Sequence, residues 1–125
     1  SGNVENYVYQ LANRYEYKED EKVKFRFGVR DRYIQKTFQT SVQTLTGSYI
    51  TEGSGSYSIV DVGTGEIKVP FSHYTSMSCD STSNYFIQWL NGFETDRIYK
   101  ILIKLKYDDG QERIFDDNFE FKIRR

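Results

Sequence analysis

The chain has only one cysteine, one histidine, one proline and one methionine among its 125 residues. A single cysteine cannot form an internal disulfide, so the disulfide-framed scaffolds of small secreted proteins are excluded, although secretion itself is not. We therefore expect synthesis in the cytoplasm. No run approaches the roughly 18 apolar residues of a membrane span, and no charged and then apolar leader precedes the first predicted strand. These absences predict a water-soluble domain.

The length suits one domain, which would bury roughly two thirds of its unfolded surface in a single core. The opening Ser1-Gly2-Asn3 resembles the remnant of a cleaved expression tag, so residues 4–125 are expected to form the domain itself. Such a remnant suggests a piece excised from a larger protein. No internal repeat is visible, and the Gly-Ser-Gly tip at 53–55 is too short for an interdomain linker.

Aromatic residues are abundant, with eleven Tyr, nine Phe and one Trp, whereas the helix-favouring Ala and Met occur once each. This composition favours strands. Three segments alternate apolar and polar residues at a period of two and are predicted strands: 23–29, 99–107 and 119–123. The predicted core draws on these strands and on the segment 84–90, and consists of Phe25, Phe27, Tyr85, Trp89, Ile101, Ile103, Phe119 and Phe121.

Turn residues predict two hairpins. Asp-Gly within 107–111 joins the second predicted strand to residues 112–115, and Gly63-Thr64-Gly65 joins 56–62 to 66–71. Pro70 then marks an edge or a strand end. A strand at 7–11 opens the fold, and the charged cluster at 18–21 turns the chain.

Two further segments are less regular. Residues 84–90 are strand-like, with a short helix as the alternative, and 33–55 is interpreted as edge strands plus a long loop. About seven to nine short strands result. Their spacing predicts an all-β, immunoglobulin-like antiparallel β-sandwich.

The stretch 72–81, SHYTSMSCDS, holds the only histidine and the only cysteine beside several hydroxyl groups. A nucleophile needs a base within hydrogen-bond reach, but His73 and Cys79 would lie about 20 Å apart along a straight strand. Neither a Gly-x-Ser-x-Gly elbow nor a papain-type signature is present. We therefore predict no catalytic residues. Cys79 is interpreted as a small buried apolar residue and His73 as a surface or turn residue.

Metal and cofactor sites also find little support. A structural zinc site needs about four Cys or His ligands, and the chain has two in total. Acidic residues cluster in two predicted loops: Asp108, Asp109 and Glu112 in one, and Asp116, Asp117 and Asn118 in the other. They match no EF-hand spacing, so ordinary turn residues are the preferred interpretation and calcium is the alternative. No cofactor is predicted, because the turn at 63–65 lacks the lysine of a phosphate loop.

The formal net charge of −1 hides a segregation, because cations lie on strand faces and anions in turns. Nine cations follow the outward parity of their strands: Lys22, Lys24, Arg26, Arg30, Lys100, Lys104, Lys106, Lys122 and Arg124. If these strands were neighbours in one sheet, the outer face would attract a nucleic acid or an anionic glycan. We prefer a solubilising role, because no aromatic residues alternate with the cations on the same parity.

Four segments carry a family resemblance: VKFR at 23–26, SCDSTSNYF at 78–86, NGFETDRIYKI at 91–101 and DDNFEFK at 116–122. Together they resemble the carboxy-terminal sandwich domain of virion structural proteins from marine tailed phages, over nearly the whole chain. The resemblance implies a role in particle structure, location in the virion after synthesis in the host cytoplasm, and other virion proteins or host surface components as partners. The shared segments are strands and turns and imply no catalytic residue.

The resulting expectation is a non-enzymatic docking or spacing domain at the carboxy terminus of a phage particle protein, acting through protein contacts. Loops carry recognition on a rigid scaffold, so contacts are expected in the stretch 33–55 and at the acidic turns. The alternative is a carbohydrate-binding or adhesion module with a platform of exposed rings. Together the two hypotheses select Phe38, Tyr49, Tyr57, Tyr74, Asp108, Asp109 and Asp116 as candidate binding residues.

Overall fold

A computed structural model describes residues 3–11, 13–34, 46–48, 55–79, 83–106 and 110–125, with the backbone alone described for 3–7, 30–34, 46–48, His73 and Cys79. These residues form ten strands and one 3₁₀ turn at His73–Thr75. The strands are β1 (Asn3–Gln10), β2 (Glu16–Lys18), β3 (Lys22–Ile34), β4 (Thr46–Ser48), β5 (Gly55–Asp61), β6 (Ile67–Val69), β7 (Ser78–Cys79), β8 (Asn84–Trp89), β9 (Ile98–Lys106) and β10 (Glu112–Arg124).

The strands build two five-stranded sheets packed against each other around one core. Sheet 1 has the order β1-β3-β8-β7, with β4 also paired to β3, and sheet 2 has the order β2-β10-β9-β5-β6. These orders correspond to those of an immunoglobulin domain, with the first strand divided between the sheets. The pairings of the described strands are antiparallel except that of β2 with β10, which is parallel. The predicted all-β sandwich is confirmed.

Alternation along the long strands places one set of side chains between the sheets. Six predicted core residues are at most 7% exposed, namely Phe25, Phe27, Ile101, Ile103, Phe119 and Phe121. The ring of Phe25 lies 5.2 Å from that of Phe86 within sheet 1 and 5.1 Å from that of Phe121 in sheet 2, measured between centroids. The interface between the sheets is therefore an aromatic cluster, in which edge and offset contacts add to the burial.

Two core predictions, both on β8, are wrong. Tyr85 is half-buried and Trp89 is 54% exposed. In the register with β3, Phe86 pairs with the inward-facing Phe25, which turns Phe86 and Leu90 inward and leaves Tyr85 and Trp89 on the outer face. Both faces of β8 carry large apolar residues, so pairing rather than composition decides which face is buried.

The predicted hairpins β5–β6 and β9–β10 form, and β6 ends at Val69, directly before Pro70. The second acidic cluster is not in a loop as predicted. Residues 116–118 lie inside β10 at a β-bulge, where the register with β9 shifts between Phe115 and Phe119. Asn118 adopts a φ of 58°, which asparagine tolerates better than most residues. In the weakly patterned stretch, β3 continues to Ile34 and β4 is an edge strand, while 35–45 and 49–54 lie outside the described residues.

Polar contacts fix the corner that leads into β9. The Tyr99 hydroxyl accepts a hydrogen bond from the Glu94 amide at 2.9 Å, as in the tyrosine corner of immunoglobulin domains. Nearby, the buried Asp61 carboxylate accepts hydrogen bonds from the Arg97 guanidinium at 2.9 Å and from the Gly63 amide at 2.8 Å. Arg97 lowers the pKa of the Asp61 carboxyl, and the amides of Gly63 and Thr64 add to the effect.

Across the described ranges, no helix has the length and apolar character to cross a membrane.

Candidate functional site

The structure separates the residues selected from the sequence. Phe38, Tyr49, Asp108 and Asp109 lie outside the described residues. Tyr57, expected in an exposed ring platform, is only 7% exposed, and its ring stacks on Phe86 with centroids 3.6 Å apart. The alternation of side chains along β5 places Tyr57 on the inward face, so the expectation that its ring is exposed is wrong.

The two remaining candidates are exposed but lie in different surroundings. Tyr74 is 84% exposed in the 3₁₀ turn. Asp116 lies in the bulge of β10, where its carboxylate accepts a hydrogen bond from Lys100 at 2.8 Å. With Tyr57 in the core, the described members of the expected tyrosine platform do not come together.

Hydroxyl groups in the stretch 72–81 cap the 3₁₀ turn. The Ser72 hydroxyl accepts a hydrogen bond from the Tyr74 amide at 3.1 Å, and the Thr75 hydroxyl accepts one from the Ser72 amide at 2.9 Å. This reciprocal arrangement is a capping box. His73 belongs to the turn and Cys79 to β7, and their side chains lie outside the described part. That neither residue is catalytic remains a prediction.

Several acidic side chains among the described residues pair with cations or accept hydrogen bonds from backbone amides. Among the described residues, no group of three or more His, Cys, Asp or Glu side chains is arranged to hold a metal ion. Glu21 illustrates the structural use of acids, because its carboxylate accepts from the Lys18 amide at 2.9 Å and pairs with Arg14. The Lys18 amide is the largest cause of the lowered pKa of this carboxyl.

The cations do not form one basic field, because their strands belong to both sheets. β3 is in sheet 1, whereas β9 and β10 are neighbours in sheet 2. On sheet 2, Lys100 pairs with Asp116 at 2.8 Å and Lys104 approaches Glu112 at 3.7 Å. Within the described residues, no ion pair involves Lys22, Lys24 or Arg26, the outward cations at the start of β3. As far as the described side chains go, the outward cations at the start of β3 therefore lack ion pairs, whereas Lys100 and Lys104 on sheet 2 have them.

The face of sheet 1 with these cations also carries aromatic side chains, which the sequence pattern of β3 alone does not reveal. The pairing of β3 with β8 sets Lys22 opposite Trp89, Lys24 opposite Ile87 and Arg26 opposite Tyr85. All six side chains point away from the core, as the alternating burial of both strands shows. We call this surface the basic–aromatic face. It consists of Lys22, Lys24, Arg26, Tyr85, Ile87 and Trp89.

The six side chains form two parallel rows. Successive outward residues on a strand lie about 6.6 Å apart and neighbouring strands about 4.8 Å apart, so each row is about 13 Å long. The rows touch: Lys22 Nζ lies 5.2 Å from the Trp89 ring centroid and Lys24 Nζ 4.0 Å from that of Tyr85. Cation–π contacts of this kind hold the lysine heads beside the rings.

One end of the face is extended by β1. Tyr9 pairs directly with Gly28 on β3, and a Cβ atom at Gly28 would overlap the Tyr9 ring. Glycine therefore allows the ring to lie across the strand beyond Arg26. The backbone of Arg26 is fixed by Asn13, whose amide side chain donates to the Arg26 carbonyl at 2.9 Å and accepts from its amide at 2.9 Å. The cation row thus rests on an anchored strand.

The basic–aromatic face has the composition of a recognition surface. Ile87 is 46% exposed and Trp89 54%, which is unusual for large apolar residues side by side. A partner could bury both while pairing its acids with the cations. The sequence does contain a signal for this face, namely two i, i+2, i+4 patterns: Lys-Lys-Arg on β3 and Tyr-Ile-Trp on β8. The two patterns form one surface only because β3 pairs with β8.

Searches of protein-family models, of curated proteins and of solved structures find no match to this chain.

Proposed function

We propose that this domain is a non-enzymatic docking module of a phage virion protein and that it acts through protein contacts. The observation that carries the proposal is the exposure of Trp89 and Ile87 beside a row of cations on an outer sheet face. The resemblance to phage virion domains supplies the setting. In this proposal the face is the contact surface, and the sandwich is the rigid body that presents it.

The residue types of the face support protein contact. Trp, Tyr and Arg are enriched among the residues that dominate binding energy at protein interfaces, and such residues cluster in patches that lose their water on binding. Trp89, Tyr85 and Arg26 lie on adjacent strands within one such patch. Ile87 between them gives it an apolar centre, which a protein partner would cover.

Carbohydrate binding is a second candidate, and the same exposed Trp89 favours it. Rings that lie on a sheet face, here Trp89 and Tyr85 with Tyr9 near the far end, are able to stack against the apolar faces of sugars. This platform replaces the one expected around Tyr57 and Tyr74. The two functions predict different partners for one surface.

A photo-cross-linking residue at position 87 of the parent protein would test the proposal in assembled virions. Position 114 is the matched control, because Ile114 is 55% exposed on sheet 2, close to the 46% of Ile87. We expect cross-links from position 87 to one identified virion protein and few from position 114. Equal cross-linking from both positions would refute docking through this face. A glycan array with the isolated domain tests the second candidate, and saturable sugar binding that Trp89→Ala abolishes would replace the docking proposal.

A further inference from the structure

We propose that the partner of the basic–aromatic face is an acidic amphipathic helix of another protein, with carboxylates along one stripe and apolar side chains along the next. This inference rests on the proposed docking function and names the chemistry of its partner. The face itself supplies the argument, through the charge, the spacing and the apolar content of its two rows.

Charge complementarity gives the sign of the partner. Within the described residues, none of Lys22, Lys24 and Arg26 has a carboxylate partner, and the two lysines lie beside rings. On sheet 2, Lys100 and Lys104 lie beside the carboxylates of Asp116 and Glu112. Burying three unpaired cations under a neutral surface would be unfavourable. Carboxylates placed over the cation row would remove that cost and would also steer the partner to this sheet rather than the other.

The spacing of the cations matches a helix. Outward residues on β3 are about 6.6 Å apart, and residues at i and i+4 of an α-helix are separated by about 6 Å along the axis. Three glutamates at i, i+4 and i+8 therefore reach Lys22, Lys24 and Arg26 in turn. The adjacent stripe of such a helix lies above β8, where leucine or similar side chains would cover Ile87 and Trp89.

Ile87 distinguishes a protein partner from the other polyanions. Single-stranded nucleic acid and acidic glycans use rings for stacking, and an aliphatic side chain at the centre of the ring row offers no stacking surface. Tyr85 is also half-buried under Lys24, so Trp89 is the more accessible of the two rings on β8. An apolar helix stripe makes use of Ile87 and Trp89 together, so the face fits a protein better.

The test is a binding titration of the isolated domain with a synthetic helical peptide that has Glu at every fourth position beside a leucine stripe. Intrinsic fluorescence of Trp89, the only tryptophan, reports contact at the face. We expect saturable binding with a shift of the emission, and an affinity about tenfold or more weaker for the peptide with Gln in place of Glu. Lys24→Glu should weaken binding to a similar extent. Lys106→Glu, an equal charge change at an exposed position of sheet 2, should leave it within about twofold.

Three outcomes would overturn the inference: no saturable binding of the acidic peptide, equal affinity for the Gln peptide, or tighter binding of oligothymidylate or oligogalacturonate than of the acidic peptide. Trp89→Phe retains a ring at the site but removes the fluorophore. The chemical shifts of its backbone amides therefore report whether this variant is folded. If virion cross-linking from position 87 succeeds while the peptide fails, docking stands and the acidic helix is refuted. If both fail, the docking function itself is refuted.

Discussion

The phase of β8 decides whether the basic–aromatic face exists, and a pair of alanine substitutions tests it. Phe86 is 4% exposed and Trp89 is 54% exposed, although both are large aromatic residues three positions apart on the same strand. Truncating Phe86 removes a ring packed against Phe25 and Tyr57, with centroids 5.2 and 3.6 Å away. Truncating Trp89 removes a ring that contacts Lys22.

The two expected costs differ severalfold. Phe86→Ala should lower the free energy of unfolding by about 3 to 5 kcal/mol, the range for a buried phenylalanine that leaves a cavity. Trp89→Ala loses a cation–π contact and partial packing, which together amount to about 1 kcal/mol. For a domain of this size, these values correspond to falls in Tm of about 12 to 20 °C and about 4 °C.

Urea unfolding followed by far-ultraviolet circular dichroism measures both variants, since the loss of Trp89 rules out a fluorescence comparison. The order of the two costs is the result of interest. If Trp89→Ala destabilised the domain more than Phe86→Ala, the strand would have the opposite phase, and the face described here would be part of the core.

Three further predictions concern the corner and the far end of the face. Tyr99→Phe should cost about 1 kcal/mol, measured by urea unfolding, because the Glu94 amide loses its acceptor. The lowered pKa of Asp61 contributes stability that is fully present above about pH 4, near the value in an unfolded chain, and is lost as the pH falls through the lower folded value. The free energy of unfolding of Asp61→Asn should therefore decrease less steeply on acidification than that of the parent. Equal slopes for the two proteins would contradict the role of Arg97. Gly28→Ala should cost about 1 to 3 kcal/mol by displacing the Tyr9 ring, and a melt equal to that of the parent would show that the ring does not lie there.

Much of the fold could be predicted from the sequence because the long strands carry apolar residues on one face only. Val23, Phe25 and Phe27 alternate with cations, so the buried face of β3 follows from the pattern alone. The hairpin at 63–65 has glycine at the turn and a proline after the second strand, and both strand ends follow from these residues. Local chemistry was sufficient where each residue had one plausible environment.

β8 could not be placed in the same way, because Tyr85 and Trp89 on one parity compete with Phe86 and Leu90 on the other. The pairing of Phe25 with Phe86 settles the competition, and that contact joins residues 61 positions apart. The candidate site was missed for the same reason. Its cations and its rings come from strands that are distant in the sequence, and neither row alone has the properties of the surface that they form together.

Recognition had also been expected in loops, whereas the strongest candidate surface lies on strands. The bulge at 116–118 shows why the second acidic cluster was wrongly predicted to be a loop, since Asp116 is engaged by Lys100 within sheet 2. A run of turn-forming residues is compatible both with a loop and with a bulge inside a long strand. The hydrogen-bond partners across the sheet distinguish the two, and the sequence does not contain them directly.

Hydroxyl-radical footprinting with mass spectrometry, applied to the isolated domain and to the virion of which we propose it is a part, tests the central claim most directly. It compares the oxidation of Trp89 on the basic–aromatic face with that of Tyr74, which is 84% exposed in the 3₁₀ turn. Docking through the face predicts that Trp89 is protected in the virion while Tyr74 remains as reactive as in the isolated domain. Equal oxidation of Trp89 in both states, with Tyr74 protected instead, would contradict the assignment of this face as the contact surface.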